Sequence, residues 1–243
     1  MFAIFTRELQ NFFSSLSGYI AAMVFLVVTG LILWVFPGNL NILDGGYASL
    51  NGYFSIAPWV LLLLVPAATM RTFSDEKRFG TLELILTRPI SDGRIVLGKF
   101  FATLVLVLIV LVPSLVYYLS VYLLSSPIGN IDAGGTWGSF IGLFLLASTY
   151  ASVGIFTSSL TDNAIVSFLL SLLFCLFLFS GLSALASLPL FSGVKPLLMF
   201  LSISEHYASI SRGVLDSRDL VYFISMIFLF IIFTRTVLES RKW

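Results

Sequence analysis

The sequence predicts an all-α polytopic membrane protein of six transmembrane helices preceded by an amphipathic helix, and three observations carry that expectation. Of its 243 residues 58% are hydrophobic and only 10% charged, against roughly 25% charged in soluble domains. Charge-free windows recur at 9–43, 45–70, 100–131, 133–161 and 163–194, each long enough to cross a hydrocarbon core that takes about 20 helical residues. Finally, the charges are bunched: Arg71, Asp75, Glu76, Lys77, Arg78, Glu83, Arg88, Asp92, Arg94 and Lys99 all fall within 71–99.

Residues 1–17 set Phe2, Phe5, Leu9, Phe12, Phe13 and Leu16 on one helical face and Arg7, Glu8, Gln10 and Asn11 opposite. That pattern predicts an elbow helix lying in the membrane interface. A signal peptide is disfavoured, since Glu8 cancels Arg7, the apolar run is long enough to span, and no clean cleavage site follows.

Span one, about 19–36, ends at Pro37-Gly38, which cannot continue a helix. Span two, about 54–70, contains Pro58 and Pro66, so a kink is expected. Span three covers 95–124 with Pro113 inside. Span four, 137–158, carries Gly138 and Gly142 in a GxxxG spacing together with small residues that allow close helix approach. Span five, 164–186, follows a tight turn in which Thr161 or Asp162 can cap it. Residues 188–219, broken by Pro189, Gly193, Pro196 and Gly213, read as short helices dipping back toward the bilayer. Span six begins near Leu220; its charge-free window is short, but Arg235 can snorkel and let the helix run to Leu238.

If both termini share a side, that side holds Arg7, the six basic residues of 71–99, Arg235, Arg241 and Lys242, and the other side only Lys195, Arg212 and Arg218. The bias predicts cytoplasmic termini and a cytoplasmic 71–99 stretch.

No ionisable residue is expected well inside a span, which removes the usual means of proton or sodium coupling. Neither a Ser/His set, nor paired aspartates, nor HExxH stands at membrane depth. Cys175, the single cysteine, excludes a disulfide framework and reads as a small buried residue. His206, in the external segment, reads as a structural surface histidine, and the net charge gives no sign of a nucleic-acid partner. Gly93 through Lys99 matches GxxxxGK, yet Phe100 stands where a magnesium-binding hydroxyl is required. Lys99 is therefore expected to mark the headgroup boundary of span three. What remains is a handle for another protein: in 75–88, Phe79, Leu82, Ile85 and Leu86 form one apolar helical face against Glu76, Lys77, Glu83 and Arg88. Pro89 would end that helix and Ser91 cap the next.

In this stretch the sequence Glu76-Lys77-Arg78-Phe79-Gly80-Thr81-Leu82-Glu83-Leu84, continuing to Pro89-Ile90-Ser91 and then Gly98-Lys99, resembles the first cytoplasmic loop of ABC-2-type permeases, roughly E-x-x-x-G-T-L-E-x-L-L-x-x-P-[VI]-S followed by G-K. The likeness extends along the whole chain as one domain. Asn130-Ile131-Asp132, Ser158 to Asn163, His206 to Val214 with Asp216-Ser217-Arg218-Asp219, and the ending Leu238 to Trp243 resemble, more narrowly, the gliding-motility-associated permeases, with the permeases of copper-site maturation systems as the near alternative.

The resemblance implies a type V exporter-like, half-size, non-catalytic permease of the bacterial inner membrane that needs no cofactor. It would pair with a second permease copy, with cytoplasmic ABC ATPase subunits and with an accessory membrane subunit bearing an extracytoplasmic domain. Residues 74–90 would be the coupling helix, with Glu76 to Leu84 in the ATPase cleft, Glu76 and Glu83 as charged contacts and Gly80 allowing close approach. Ser159, Thr161, Asp162 and Asn163 would form a second, smaller contact. The rival reading is a membrane scaffold that anchors an ATPase and extracytoplasmic partners without moving a substrate.

Overall fold

The computed structural model describes residues 1–14, 16–86, 91–213 and 216–240, and for 16, 17 and 84–86 the backbone alone. Among the described residues five helical segments are long and apolar enough to cross a membrane, and six when the N-terminal helix pair counts as one span. No strand occurs among the described residues.

Helix α1 (Phe2–Ser14) precedes α2 (Leu16–Trp34), and a short α3 (Ile42–Gly45), capped by the Asn41 side chain, leads into α4 (Asn51–Thr69). Pro58 and Pro66 are carried inside α4. Met70 keeps right-handed helical angles and its N–H bonds the Pro66 carbonyl, so the rod continues into α5 (Arg71–Arg78). This extends span two well past its expected end at Met70. Two residues later comes α6 (Thr81–Leu86), then α7 (Asp92–Leu111) and α8 (Leu115–Leu124), joined by a 3-10 turn at Val112–Ser114 where Pro113 removes a helical donor.

The central element is α9 (Ala133–Leu160), which packs against α4, α5 and α7 as well as α10 (Ala164–Leu176), α13 (Ile203–Ile210) and α14 (Ser217–Glu239). Its small residues allow this. A Cβ on Gly154 would collide with Thr69 Oγ1 of α4, and one on Gly142 would lie 2.6 Å from Ile210 Cγ2. The GxxxG pair therefore seats the 188–219 segment, since Gly138 abuts Gly213. After α10 a π turn, Phe177–Gly181, leads to α11 (Leu182–Ala186), a 3-10 stretch, α12 (Lys195–Leu201), α13 (Ile203–Ile210) and finally α14 (Ser217–Glu239).

An aromatic cluster centres on the fully buried Tyr53, whose ring meets those of Phe25, Phe54, Tyr117 and Phe140. Ser114 donates to the Leu111 carbonyl at 2.6 Å, so Tyr53 donates to Ser114, also at 2.6 Å. His206 is buried rather than on the surface. Its Nδ1 lies 2.7 Å from Asp219 Oδ1, its Nε2 lies 2.8 Å from the Phe200 carbonyl, and its ring stacks on Tyr222 at 3.9 Å. The histidine thus pins α13 to the start of α14.

Candidate functional site

The charge-dense stretch does not fold as one helix. Gly80 adopts φ +69°, a left-handed conformation in which a Cβ is disfavoured, and it separates α5 from α6. Space around Gly80 is open, so this backbone angle, and not a close neighbour, calls for glycine there. The break also divides the expected apolar face, because Phe79 is 71% exposed while Leu82 is 4% exposed. The side chains of Leu84, Ile85 and Leu86, and all of Arg88 and Pro89, lie outside the described residues.

Helix α5 is mounted rigidly. Its first-turn N–H groups have no partner within the helix, and Ser158 of α9 supplies one. The Ser158 Oγ accepts from Phe73 N at 2.8 Å and from Ser74 N at 3.1 Å, and donates to the Met70 carbonyl. Lys77 Nζ donates to the Ser159 carbonyl at the end of α9. The two stretches expected to form separate contacts are thereby brought together at one end of the bundle.

The other anchor is a buried charge cluster. Lys99, on α7 with a side chain 0% exposed, donates to Glu8 Oε1 at 2.8 Å and to the Thr72 carbonyl at 2.7 Å, and its ammonium pairs with Glu76 Oε1 at 2.9 Å. Arg7 reaches Glu8 at 3.0 Å and also Glu76, and the Phe73 ring lies 4.7 Å from the ammonium. Burial opposes the charge of Arg7, but Glu8 and Glu76 outweigh it and its pKa is raised. Helices α1, α5 and α7 are locked through these four side chains.

The cluster corrects one expectation: Lys99 does not mark a headgroup boundary, because two carboxylates and a carbonyl take its charge inside the protein. Arg7 and Glu8 of α1 both reach the cluster, and one oxygen of the half-buried Glu76 is taken up by Lys99 and Arg7. Lys99 lies seven residues into α7, about 10 Å along the axis; that depth, next to Phe100 and Phe101, was the signal for a buried cation.

What stays outward is Arg78, Phe79, Gly80, Thr81 and Glu83, with Asp162 and Asn163 exposed nearby in the chain's other turn. Ser159 is buried and donates to Phe156 O, and Thr161 accepts from Asn163 N. Asn163, not Thr161 or Asp162, caps α10, accepting from Ile165 N at 2.9 Å. Asparagine holds the extended cap conformation and offers an oxygen to the orphan donors. Among the described residues no group of acidic, histidine or cysteine side chains is arranged to hold a metal ion.

A family model described as ABC-2 family transporter protein matches residues 40–238, from the loop after α2 to the end of α14. No curated protein matches the chain.

Proposed function

Because the chain belongs to the ABC-2 family of transporter proteins, we propose that it is the permease subunit of an ATP-driven exporter whose cytoplasmic ATPase seats on the turn at Phe79-Gly80. The observation that carries this reading is the Phe79 ring, 71% exposed at the tip of a helix fixed by Ser158 and Lys99. Aromatic anchors on rigid mounts are where protein interfaces concentrate their binding energy. Arg78 and Glu83 flank the ring and give charged contacts, and Asp162 with Asn163 provides a second, smaller one.

Closure of the ATPase dimer would move the α4–α5 rod as a body. Through Lys99 the displacement passes to α1 and α7, changing which side of the bundle is open. The permease itself hydrolyses nothing. A second permease copy completes the pathway, and the basic bias puts both termini and the Phe79 turn in the cytoplasm. The Asn130 to Asp132, His206 to Val214 and Leu238 to Trp243 segments support placement in a bacterial inner-membrane gliding-motility system with an accessory extracytoplasmic subunit.

The test is co-expression of the chain with its ATPase, followed by membrane fractionation. Phe79→Ala and Glu83→Lys release the ATPase while the permease keeps its thermal unfolding midpoint. Gly80→Val does so with about 1–2 kcal/mol of local strain. ATPase that stays bound to all three variants places its seat elsewhere. Function sustained by a bound but hydrolysis-dead ATPase would make the chain a scaffold.

A further inference from the structure

At the end of the bundle opposite the Lys99 cluster, α4, α9 and α13 with the π turn after α10 enclose a cavity of about 660 Å³, the size of a small-molecule site. It runs from Asn51 to Pro58 on α4 and from Asp132 to Ser139 on α9, about 10 Å along each helix. That length matches the headgroup layer, which adds roughly 5–8 Å to each side of the hydrocarbon core. The half-exposed Trp137 beside it sits where interfacial aromatic residues anchor.

Four hydroxyls of this cavity spend their protons on backbone carbonyls. Ser55 donates to Asn51 O, Thr136 to Asp132 O, Ser211 to Ala208 O and Tyr207 to Phe54 O. Lone pairs are what they have left to offer. Asp132 adds a carboxylate, of which Oδ1 accepts from Gly135 N at 2.9 Å. Arg212, exposed and holding the Ala208 carbonyl through Nε at 3.0 Å, keeps its terminal nitrogens for a ligand. Among the described residues neither Asp132 nor Arg212 enters an ion pair.

An acceptor-rich wall with one carboxylate and one separate guanidinium fits a zwitterion whose cation is rich in donors. We propose that this cavity binds the phosphoethanolamine headgroup of a membrane phospholipid, its ammonium at Asp132 and the hydroxyl wall and its phosphate at Arg212. A choline headgroup has no N–H for those acceptors, and a phosphoglycerol headgroup has no cation for Asp132. The proposal is independent of where the ATPase seats, since it concerns the opposite end of the chain.

The experiment is native mass spectrometry of the full chain from nanodiscs of phosphatidylethanolamine mixed with phosphatidylglycerol and phosphatidylcholine. The parent chain retains phosphatidylethanolamine. Asp132→Asn, which keeps the helix cap, and Arg212→Gln each lower that retention by about tenfold, as loss of one charge-assisted hydrogen bond does. Ser55→Phe, which fills the cavity, abolishes it. Equal retention by all variants, or preference for either other lipid, overturns the proposal. A thermal shift with soluble glycerophosphoethanolamine and no retained phospholipid overturns the lipid as its source.

Discussion

The two ends of the bundle handle charge in opposite ways. Around Lys99, two cations and two carboxylates from α1, α5 and α7 close on one another, and the Lys99 ammonium also donates to the Thr72 carbonyl. Around the cavity, Asp132 and Arg212 stay apart in a wall of hydroxyls. Satisfied charge at a helix junction fixes the elements in one arrangement, because parting any pair leaves a buried ion alone. Unmatched charge in a hollow leaves room for something else to complete it. The first end is built as a joint that moves whole, the second as a receptacle.

Four substitutions test this contrast, in order of expected effect. Lys99→Ala leaves Glu8 and Glu76 buried with Arg7 as their cation and should destabilise by about 3–5 kcal/mol; thermal unfolding in detergent checks it, and an unchanged midpoint would dissolve the idea of a joint. Ser158→Ala strands the Phe73 and Ser74 donors and should cost about 1–3 kcal/mol, read as faster amide hydrogen exchange in 70–78. Asn163→Ala removes the cap of α10 for about 1 kcal/mol, visible as increased exchange in the first turn of that helix alone. Asp132→Asn at the hollow end should leave stability within about 0.5 kcal/mol, since either side chain caps α9 equally well; a large loss there would mean that the cavity, too, is a structural joint.

The spans could be read from the sequence because the bilayer imposes one length and one composition on every crossing segment, as the runs 133–161 and 163–194 show. The site was harder. Its position in 71–99 stood out by charge, but polarity marks where a chain leaves the bilayer and not where its helix stops, so the continuation of α4 through Met70 to Arg78 was missed. Glu76 and Glu83 look alike in sequence. One faces Lys99 and the other faces outward, a difference set by Gly80 two residues beyond Arg78. Glu8 and Lys99 are 91 residues apart, and no local pattern links them. His206 reads as a surface residue from its place in the segment between spans five and six, whereas Asp219 and Phe200 engage its ring inside the protein.

One feature joins the two ends directly. Asn51–Arg78 is a single helical run of 28 residues, about 42 Å long, with Asn51 and Ser55 at the cavity and Phe79 just past its other tip. Ser158 holds it at Met70, Lys99 at Thr72 and Glu76, and Tyr207 at Phe54. A pull on the Phe79 turn would therefore be carried along the whole rod and felt as a change in the width of the chamber at the far end of the bundle.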